Sequence, residues 1–504
     1  MARDNGGIIG VTNNPTSSTA TGVWSIESQY QARVGDTWPQ RTLFTTKSAR
    51  FNSGSSDYLN RTPSSASNRD LWSISAWVKR SNLGVYSTIY GVFTDSNNQE
   101  NFGFLNSDKF QWQLYQSGGV VGQLTTNRLF RDPSAWYHIL GVYDSANSTG
   151  GNRMRLYVNG VEETSFSTDT NPSSGRDSLW NNNTLHMLGA GGGASGGDFL
   201  NGYMSEIIAV DGTALSPTDV GVTNSDGVWT PIIYTGTYGT NGFNLQFENA
   251  AALGTDSSPN GNTFTVNNLT SIDQSTDYPE VNFSTFNALD FYHNATANTG
   301  STSTEGNLRY VISSGNKGFA RSTIAVSNGK WYWEAEANSV SKGFYGVCNN
   351  GIMVNGTAAQ VSAVYFYEGG PDFRSGDQII NTGVASISAG DILGFALDMD
   401  NYALYISKNG TYMNSGNPTS GSSRTGAISE LFTNGRAVLR DFEEIYANVL
   451  NTSTSGGIDT SINFGSPPYS ESGGNSDGNG YGNFKTAVPS GYYSLNTKNL
   501  GEFG

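Results

Sequence analysis

Two carboxylates in one strand-like segment have the spacing needed for acid–base chemistry on a sugar. In the run WYWEAE, residues 331–336, side chains alternate between two faces, so Glu334 and Glu336 share one face. A pair of carboxyl groups flanking a glycosidic bond can act as general acid and nucleophile. Ala337 and Asn338 follow, so no third acid extends the pattern. We therefore expect a solvated strand face there and no catalysis.

Two acidic turns offer oxygen ligands for a hard cation. Asp398 and Asp400 lie in the run DMDN, and residues 95–98 form the similar run DSNN. Calcium takes about six to eight oxygen ligands, often from carboxylates and amides. Asp and Asn are also favoured turn residues. Calcium at Asp398 and Asp400 and an ordinary turn therefore both remain open.

Histidine and glycine patterns predict no further chemistry. His138, His186 and His293 are far apart and lack zinc-ligand spacing, so we expect hydrogen-bonded side chains instead of ligands. The run from Gly189 to Gly197 matches both a phosphate-loop and a nucleophile-elbow pattern. Each of these needs a helix directly after the motif, whereas a strand-like segment follows. We expect a flexible loop.

Several aromatic residues in or beside turn-rich segments are candidates for contact with a sugar. They are Tyr86, Tyr115, Tyr367 and Phe373. A ring can cover the apolar face of a pyranose while neighbouring amides and carboxylates bond its hydroxyls. Most aromatic side chains pack in a core instead. Ligand-binding loops and core packing are therefore the two hypotheses for these four residues.

The N-terminal segment, residues 1–42, has a polar, Gly-rich composition that cannot build a core. It contains a small aromatic island formed by Trp24, Tyr30 and Trp38. Isolated rings are costly to leave exposed. We expect an arm that docks these three rings on a partner, with a floppy leader as the alternative.

The segments that would position these residues have the period of two typical of β-strands. In RMRLYV, residues 153–158, every second side chain is apolar, and Asn159-Gly160 then suits a tight hairpin turn. We expect residues 161–166 to pair back. The same pattern recurs at residues 402–410. Two such hairpins, each within its own run of strands, predict two β-sandwiches.

Size and composition agree with an all-β protein of more than one domain. The chain has 504 residues, longer than a single core usually grows, with 14% charged residues, 12% aromatic residues and 63 glycines. We predict two jelly-roll-type β-sandwiches in tandem, residues 43–268 and 283–500, joined by a linker at 269–282 and preceded by the extended arm at 1–42. The formal charge of −15 argues against nucleic acid and anionic membranes as partners.

The sequence also resembles known families. Residues 43–268 resemble the laminin-G-like or concanavalin-A-like jelly roll of bacteriophage structural proteins, in stretches such as DYLNRTPSSASNRDLWSISAWVKRS, WYHILGVYDSANSTGGNRMRLYVNGVE and FLNGYMSEIIAVDGTALSPTDVG. Residues 283–500 resemble a SPRY domain, through GKWYWEAE, KGFYGVCN, GDILGFALDMDNYALYISKNG and SINFG. The insertion-like stretch 434–457 departs from that pattern. The leader GIIGVTNNPTSSTATGVWSIESQYQARVGDTWP resembles N-terminal segments of structural and tail-fibre proteins of marine bacteriophages.

These resemblances imply a non-enzymatic virion protein of a marine, cyanophage-like bacteriophage, of tail-fibre or adhesin type. Such a protein would present loops to a glycan or protein of the host surface, contact other virion proteins through its arm and form a homotrimer. A decoration or spacer protein on the capsid or neck is the alternative, and a glycan depolymerase is a third hypothesis. The sequence shows no signal peptide and no membrane-spanning stretch, so we expect assembly in the host cytoplasm without membrane insertion.

Overall fold

A computed structural model divides the chain into two compact units, residues 1–44 and 45–504. The described residues are 24, 25, 27, 28, 31 and 32, then 46–293, 301–349, 354–355, 358–359, 363–375, 378–382, 384–428, 443–451, 455–470 and 474–504. In the first unit Trp24 is half-buried, whereas Tyr30 and Trp38 lie outside the described residues.

The first β-sandwich consists of two antiparallel sheets. Its strands are β1 (Ser48–Phe51), β2 (Tyr58–Arg61), β3 (Leu71–Arg80), β4 (Ser87–Asp95), β5 (Asn98–Phe104), β6 (Lys109–Gln116), β7 (Gly119–Leu129), β8 (Trp136–Asp144), β9 (Met154–Val158), β10 (Val161–Glu162), β11 (Phe166–Thr170), β12 (Leu185–Leu188), β13 (Gly202–Asp211), β14 (Gly221–Thr223), β15 (Trp229–Pro231), β16 (Phe243–Leu245), β17 (Thr265–Asn267) and β18 (Gln274–Ser275). Sheet 1 has the order β10-β9-β8-β3-β13-β1-β18, with β16 also paired to β13, and sheet 2 has the order β11-β7-β6-β5-β4-β12-β2-β17.

Sheets 1 and 2 pack on a shared aromatic core. Trp72 of sheet 1 stacks on Tyr143, with ring centroids 5.6 Å apart, and meets Trp112 of sheet 2 edge-on at 5.5 Å. All three rings are buried. Aromatic pairs at these separations contribute about 0.5–1.5 kcal/mol beyond the burial of their area. The alternating apolar positions of both sheets therefore face one another.

The second β-sandwich repeats this architecture with different strands. They are β19 (Tyr292–His293), β20 (Ser301–Thr304), β21 (Arg309–Ile312), β22 (Gly318–Val326), β23 (Lys330–Ser339), β24 (Phe344–Cys348), β25 (Val354–Asn355), β26 (Ala358–Ala359), β27 (Ala363–Tyr367), β28 (Asp372–Ser375), β29 (Gln378–Thr382), β30 (Ile392–Asp398), β31 (Ala403–Lys408), β32 (Thr411–Tyr412), β33 (Ile445–Asn451), β34 (Ile458–Asn463) and β35 (Tyr493–Ser494). A short helix, α1 (Thr497–Phe503), follows them. Short 3-10 turns lie at Gly150–Asn152, Pro217–Asp219, Ser271–Asp273, Met413–Ser415 and Pro418–Ser423.

Sheets 3 and 4 enclose the core of the second sandwich. Sheet 3 has the order β19-β22-β33-β24-β27-β28-β29, and sheet 4 has the order β20-β21-β34-β23-β30-β31-β32, with β35 also paired to β23. Trp333 stacks on Phe395 of the neighbouring strand at 5.3 Å, and both rings are buried. The predicted fold class, two β-sandwiches in one chain, is confirmed.

The hairpin at Asn159-Gly160 forms as predicted, but its return strand is short. These two residues have φ values of +49° and +79°. β10 pairs with β9 through Val161 and Glu162 alone, and Phe166 pairs with Thr126 of sheet 2 instead. The expectation that residues 161–166 all pair back is therefore wrong. The chain crosses to sheet 2 because that move packs Phe166 against the core.

The segment predicted as a linker, residues 269–282, is packed against both sandwiches. Its strand β18 pairs with β1 of sheet 1. The hydroxyl of Ser275 lies 2.7 Å from that of Ser466 in the second sandwich. Thr276 Oγ1 donates to the carbonyl of Gly465 at 2.8 Å. The segment thus connects the sandwiches in space as well as along the chain.

Direct hydrogen bonds between the sandwiches add to this connection. Tyr203 donates its hydroxyl to the carbonyl of Gly306 at 2.9 Å, and Asn307 donates its amide to the carbonyl of Ser81 at 2.7 Å. Arg50, which is fully buried, donates to the carbonyl of Pro467. Because buried polar groups are costly to separate from their partners, these bonds hold the two sandwiches in one arrangement.

Candidate functional site

The outward face of sheet 2 carries a row of uncharged polar side chains. In β6 the residues at alternate positions are buried in the core or half-buried on the outside, because the strand sequence KFQWQLYQ has a strict period of two. Neighbouring strands contribute side chains of the same kind. We call this surface the amide face; its members are Asn101, Gln111, Gln113 and Gln123, which are half-buried, and Thr125, which is buried.

Strand register aligns the amide face across the sheet. Asn101 of β5 is the pairing partner of Gln113 in β6, and Gln113 is the partner of Gln123 in β7. Gln113 Nε2 donates to Gln123 Oε1 at 2.9 Å, and Gln123 Nε2 donates to Thr125 Oγ1 at 3.1 Å. Gln111 Nε2 also lies 3.3 Å from Thr125 Oγ1. This chain of bonds fixes the rotamers of the amides.

The glycine-rich run lies beside the amide face. A Cβ on Gly191 would lie 2.5 Å from Asn101 Oδ1 and 2.9 Å from Thr88 Oγ1, and one on Gly91 would lie 2.8 Å from the Ala190 carbonyl oxygen. Only glycine permits such close packing of this loop on the sheet. In the structure this run is a loop followed by β13, as predicted from the sequence.

The amide face has the chemistry of a surface for neutral polar ligands. A primary amide offers both donors and an acceptor, and a threonine hydroxyl offers both roles at one atom. None of the five members carries a charge. The Oε1 atoms of Gln111 and Gln113 accept no hydrogen bond from any described residue. They are therefore available to a ligand hydroxyl.

Of the four aromatic candidates, two lie in the first sandwich. Tyr115 belongs to the same outward row of β6 as Gln113, is half-buried, and donates its hydroxyl to the carbonyl of Gly118 at 2.8 Å. Tyr86 precedes β4 and is 50% exposed. Tyr115 therefore lies beside the amide face, in a strand and not in a loop.

The other two aromatic candidates belong to sheet 3. Tyr367 stacks on Phe344 with ring centroids 4.4 Å apart, and the guanidinium of Arg374 lies 4.3 Å from the Tyr367 ring. Phe373 is fully buried in β28. Of the two hypotheses for Phe373, core packing is the one that the structure shows, and the placement on a ligand-binding loop is wrong, because its side chain points into the core of the second sandwich.

Asp398 and Asp400 do not converge on one point. Asp398 is buried, lies 3.1 Å from Lys330 Nζ and accepts bonds from the backbone and side chain of Asn401. Asp400 accepts instead from the backbone of Gly329 at 3.1 Å. Within the described residues no group of three or more His, Cys, Asp or Glu side chains is placed to hold a metal ion. The two carboxylates have the bonding of turn residues.

The carboxylate pair on β23 is split between two environments. Glu334 is fully buried, and its oxygens accept bonds from the backbone of Lys485 and Thr486 and from the hydroxyl of Tyr332. Burial raises the pKa of Glu334. Glu336 is half-buried. The expectation of a solvated strand face is therefore wrong for Glu334, because residues 485–486 cover its side chain.

Two histidines have the hydrogen-bonded positions that the sequence predicts. The Trp229 indole N–H donates to Nδ1 of His138. Nε2 of the same ring lies 2.8 Å from the hydroxyl oxygen of Ser75. His186 bonds the backbone of residues 181 and 184. Burial lowers the pKa of His138 to about 3 and that of His186 to about 4. The side chain of His293 lies outside the described residues.

Comparison with known proteins gives a family match over part of the first sandwich. Residues 53–221 match the family model described as the concanavalin A-like lectin/glucanases superfamily, of the laminin G type. This range contains the whole amide face. The first sandwich therefore has the concanavalin A-like lectin/glucanase fold. No curated protein matches the chain.

Solved structures with similar folds have low sequence identity to the chain. The SPRY domain of human HERC1 has 16% identity over 35% of this chain and 96% of its own, with a TM-score of 0.25. Domains LG4-5 of the mouse laminin alpha1 chain have 10% identity over 79% of this chain and 82% of their own, with a TM-score of 0.27. Domain 4 of AbnA, a GH43 extracellular arabinanase from Geobacillus stearothermophilus in complex with arabinotriose, has 19% identity over 30% of this chain and 65% of its own, with a TM-score of 0.23.

The amide face was missed by reasoning from the sequence alone. The alternation of Gln111 and Gln113 with Phe110 and Trp112 was available as a signal of one polar face. Alignment with Asn101 and with strand β7 depends on strand register, which that local pattern does not specify.

Proposed function

We propose that the protein is a non-enzymatic glycan-binding adhesin whose amide face binds neutral sugars of a host cell surface. The observation that carries the proposal is an uncharged face of hydrogen-bonding amides within the sandwich that matches the lectin/glucanase family. Sugar hydroxyls both donate and accept, so they match side chains that do the same. A face without charge gives no preference for sulfated or carboxylated glycans.

The amides on this face are held in place before any ligand arrives. The bonds from Gln113 to Gln123 and from Gln123 to Thr125 order three side chains. Ordering a flexible side chain on binding costs about 0.5–1.5 kcal/mol, and part of that cost is already met in the free protein. In this proposal Tyr115, which lies in the same outward row, would contribute a ring edge or face to the sugar.

The adhesin would be carried on a bacteriophage virion. This part of the proposal rests on the resemblance of the leader and of the domain order to phage tail-fibre proteins. Trp24, Tyr30 and Trp38 would attach the arm to other virion proteins. Assembly as a homotrimer would present three amide faces together and raise avidity without new contacts. None of the helices in the described residues has the length and apolar character needed to cross a bilayer.

Absence of hydrolysis is part of the proposal and is supported by the state of Glu334. Its oxygens are occupied by Lys485, Thr486 and Tyr332 and are closed to solvent. An acid that cannot reach a glycosidic oxygen cannot protonate it. The depolymerase hypothesis therefore loses one of the two carboxylates on which it was based.

A glycan array probed with the full-length protein tests the proposal, followed by binding to whole host cells. We expect neutral glycans to bind, and we expect Gln113→Ala and Gln123→Ala each to weaken binding about tenfold. Asn106→Ala is the matched control, because Asn106 is an exposed amide in the β5–β6 turn at the end of the same hairpin. Unchanged binding in the two glutamine variants, or binding restricted to anionic glycans, would refute the role of the amide face.

A rigid spacer or decoration protein on the capsid or neck is the second candidate. The buried hydrogen bonds between the sandwiches favour it, because they join the two folds into a stiff unit. Position on the particle separates the two functions. Antibody labelling at the tail periphery supports the adhesin, and labelling at capsid vertices or the neck supports the spacer.

A further inference from the structure

An acidic cleft lies between the two sandwiches, away from the amide face. It has a volume of about 500 Å³, within the range typical of small-ligand sites. The first sandwich contributes Asp57, from the loop between β1 and β2, and the segment that follows contributes Asp273. The second sandwich contributes Glu305 and Glu336. The walls are therefore lined by carboxylates from both folds.

The cations near the cleft leave it with an excess of negative charge. Arg309 lines the cleft, but its guanidinium makes two bonds, of 2.9 and 2.7 Å, with Asp459. Arg50 is buried behind the wall, 3.8 Å from Asp273 and 3.6 Å from Glu305. The carboxylates that line the cleft therefore outnumber the guanidinium groups near it. Anionic ligands such as phosphate or uronic acids would be repelled.

Asp57, in the wall of the cleft, has one carboxylate oxygen that receives no hydrogen bond from the part of the chain that the structure describes. Its side chain is 2% exposed, and Oδ2 accepts a bond from the Asn52 backbone at 2.9 Å. Oδ1 is buried and has no hydrogen-bond partner among the described residues. A buried polar atom without a partner is unusual and costly. Burial raises the pKa of Asp57 to about 6, and repulsion from Asp273 and Glu305 acts in the same direction.

We propose that this cleft binds a protonated primary amine carried by a small polar ligand. An ammonium group has three N–H donors and a positive charge. One donor would bond the carboxylate oxygen of Asp57 that has no partner in the described chain, and the charge would offset the acidic lining of the cleft. Asn338 also lines the cleft; its amide nitrogen donates to Asp459 and Ser461, so its side-chain oxygen would accept from a ligand hydroxyl near the amine. The amine has two plausible sources, a free amino sugar and an aliphatic polyamine. The proposal is independent of the amide face, since the two surfaces share no residue.

Calorimetry with the full-length protein at about pH 7 tests the proposal, because this pH lies above the pKa of about 6 of Asp57 and still keeps the probe amines mostly protonated. The probes are glucosamine, its uncharged analogue N-acetylglucosamine, spermidine and calcium chloride. We expect at least one of the two amines to bind, and we expect N-acetylglucosamine to bind about tenfold more weakly than glucosamine or not at all. Preference for glucosamine assigns an amino sugar, and preference for spermidine assigns a polyamine.

Matched variants connect that binding to the cleft. Asp57→Asn keeps the shape of the side chain and should weaken amine binding about tenfold or more. Glu336→Gln on the opposite wall provides a second test if Asp57→Asn does not fold. Glu162→Gln removes one exposed carboxylate outside the cleft and controls for net charge.

Three outcomes would overturn the proposal: equal binding of glucosamine and N-acetylglucosamine, unchanged amine binding in both cleft variants, or calcium binding that displaces the amines. Gln113→Ala should leave amine binding intact. A result that refutes glycan binding by the amide face can therefore be told apart from a result that refutes amine binding by the cleft.

Discussion

Lys79 Nζ lies 2.7 Å from Asp277 Oδ2, and each of these side chains is only 1% exposed. Lys79 belongs to sheet 1 and Asp277 to the segment that leads into the second sandwich. Lys79 also donates to the side chain of Asn282 and the carbonyl of Phe283, and the Trp136 indole donates to Asp277 Oδ1 at 3.0 Å. The pair is thus the centre of a fully bonded polar network between the two folds.

Removing one member of the Lys79–Asp277 ion pair should strongly destabilise the folded protein. We expect Lys79→Met to lower the free energy of unfolding by about 3–5 kcal/mol, because Asp277 is left as a buried charge without its partner. Urea denaturation measures the effect. The double variant Lys79→Met with Asp277→Asn should recover part of the loss, since it removes both charges. A loss below about 1 kcal/mol in the single variant would show that the network does not depend on the pair.

Glu100 should make stability depend on pH. It is buried in the first core, where it accepts bonds from Trp112 and the backbone of Leu179, and burial raises its pKa to about 7 from a usual value of 4.5. The folded state therefore holds a proton between these values that the unfolded state releases. Protonated Glu100 therefore favours the folded state at low pH. This stabilisation, up to about 3 kcal/mol of unfolding free energy, is lost as pH rises through about 7.

Comparison with Glu100→Gln isolates this contribution, because the other titrating groups are the same in both proteins. The difference in unfolding free energy between wild type and variant should change between pH values on either side of 7, with wild type losing stability as pH rises. A difference that is the same at all pH values would show that Glu100 has an ordinary pKa.

Gly160 should not tolerate a side chain. Its φ is +79°, and a Cβ would lie 2.7 Å from atoms of the Trp229 ring. We expect Gly160→Ala to lower the thermal midpoint and to cost about 2–4 kcal/mol, from backbone strain and displacement of the indole. Gly151→Ala is the matched control, because its Cβ would meet no heavy atom within 4 Å. Equal midpoints for the two variants would contradict this assignment.

Glu334 should behave as a structural residue. In Glu334→Gln an amide N–H would face the backbone donors of Lys485 or Thr486, so we expect a loss of about 1–3 kcal/mol in unfolding free energy. Glycan binding should be unchanged, and neither wild type nor variant should release reducing sugar from host polysaccharide. Sugar release by wild type that disappears in a stable Glu334→Gln variant would restore the depolymerase hypothesis.

Local sequence patterns predicted much of the fold because strand periodicity and turn chemistry are short-range properties. The turn at Asn409-Gly410, with φ values of +48° and +82°, follows directly from two residues that tolerate the left-handed region. The presence of two sandwiches followed from the same kind of information.

The same patterns could not show what covers each face of a strand. In β3, Trp72 and Ile74 alternate with Ser73, Ser75 and Lys79, which predicts one buried face and one wet face, yet nearly the whole strand is buried. The second face is covered by the segment after β13 and by the connecting segment 269–282.

By itself, the sequence determined which residues share a strand face and where the hairpins turn. The tertiary structure alone decided that Lys79 meets Asp277, that Glu334 is sealed from solvent, and that the amide face and the acidic cleft exist. The physical reason is that alternation is a property of neighbouring residues, whereas strand register and the packing of one sandwich on another depend on contacts between more distant residues, 10 positions apart for Gln113 and Gln123 and 198 positions apart for Lys79 and Asp277.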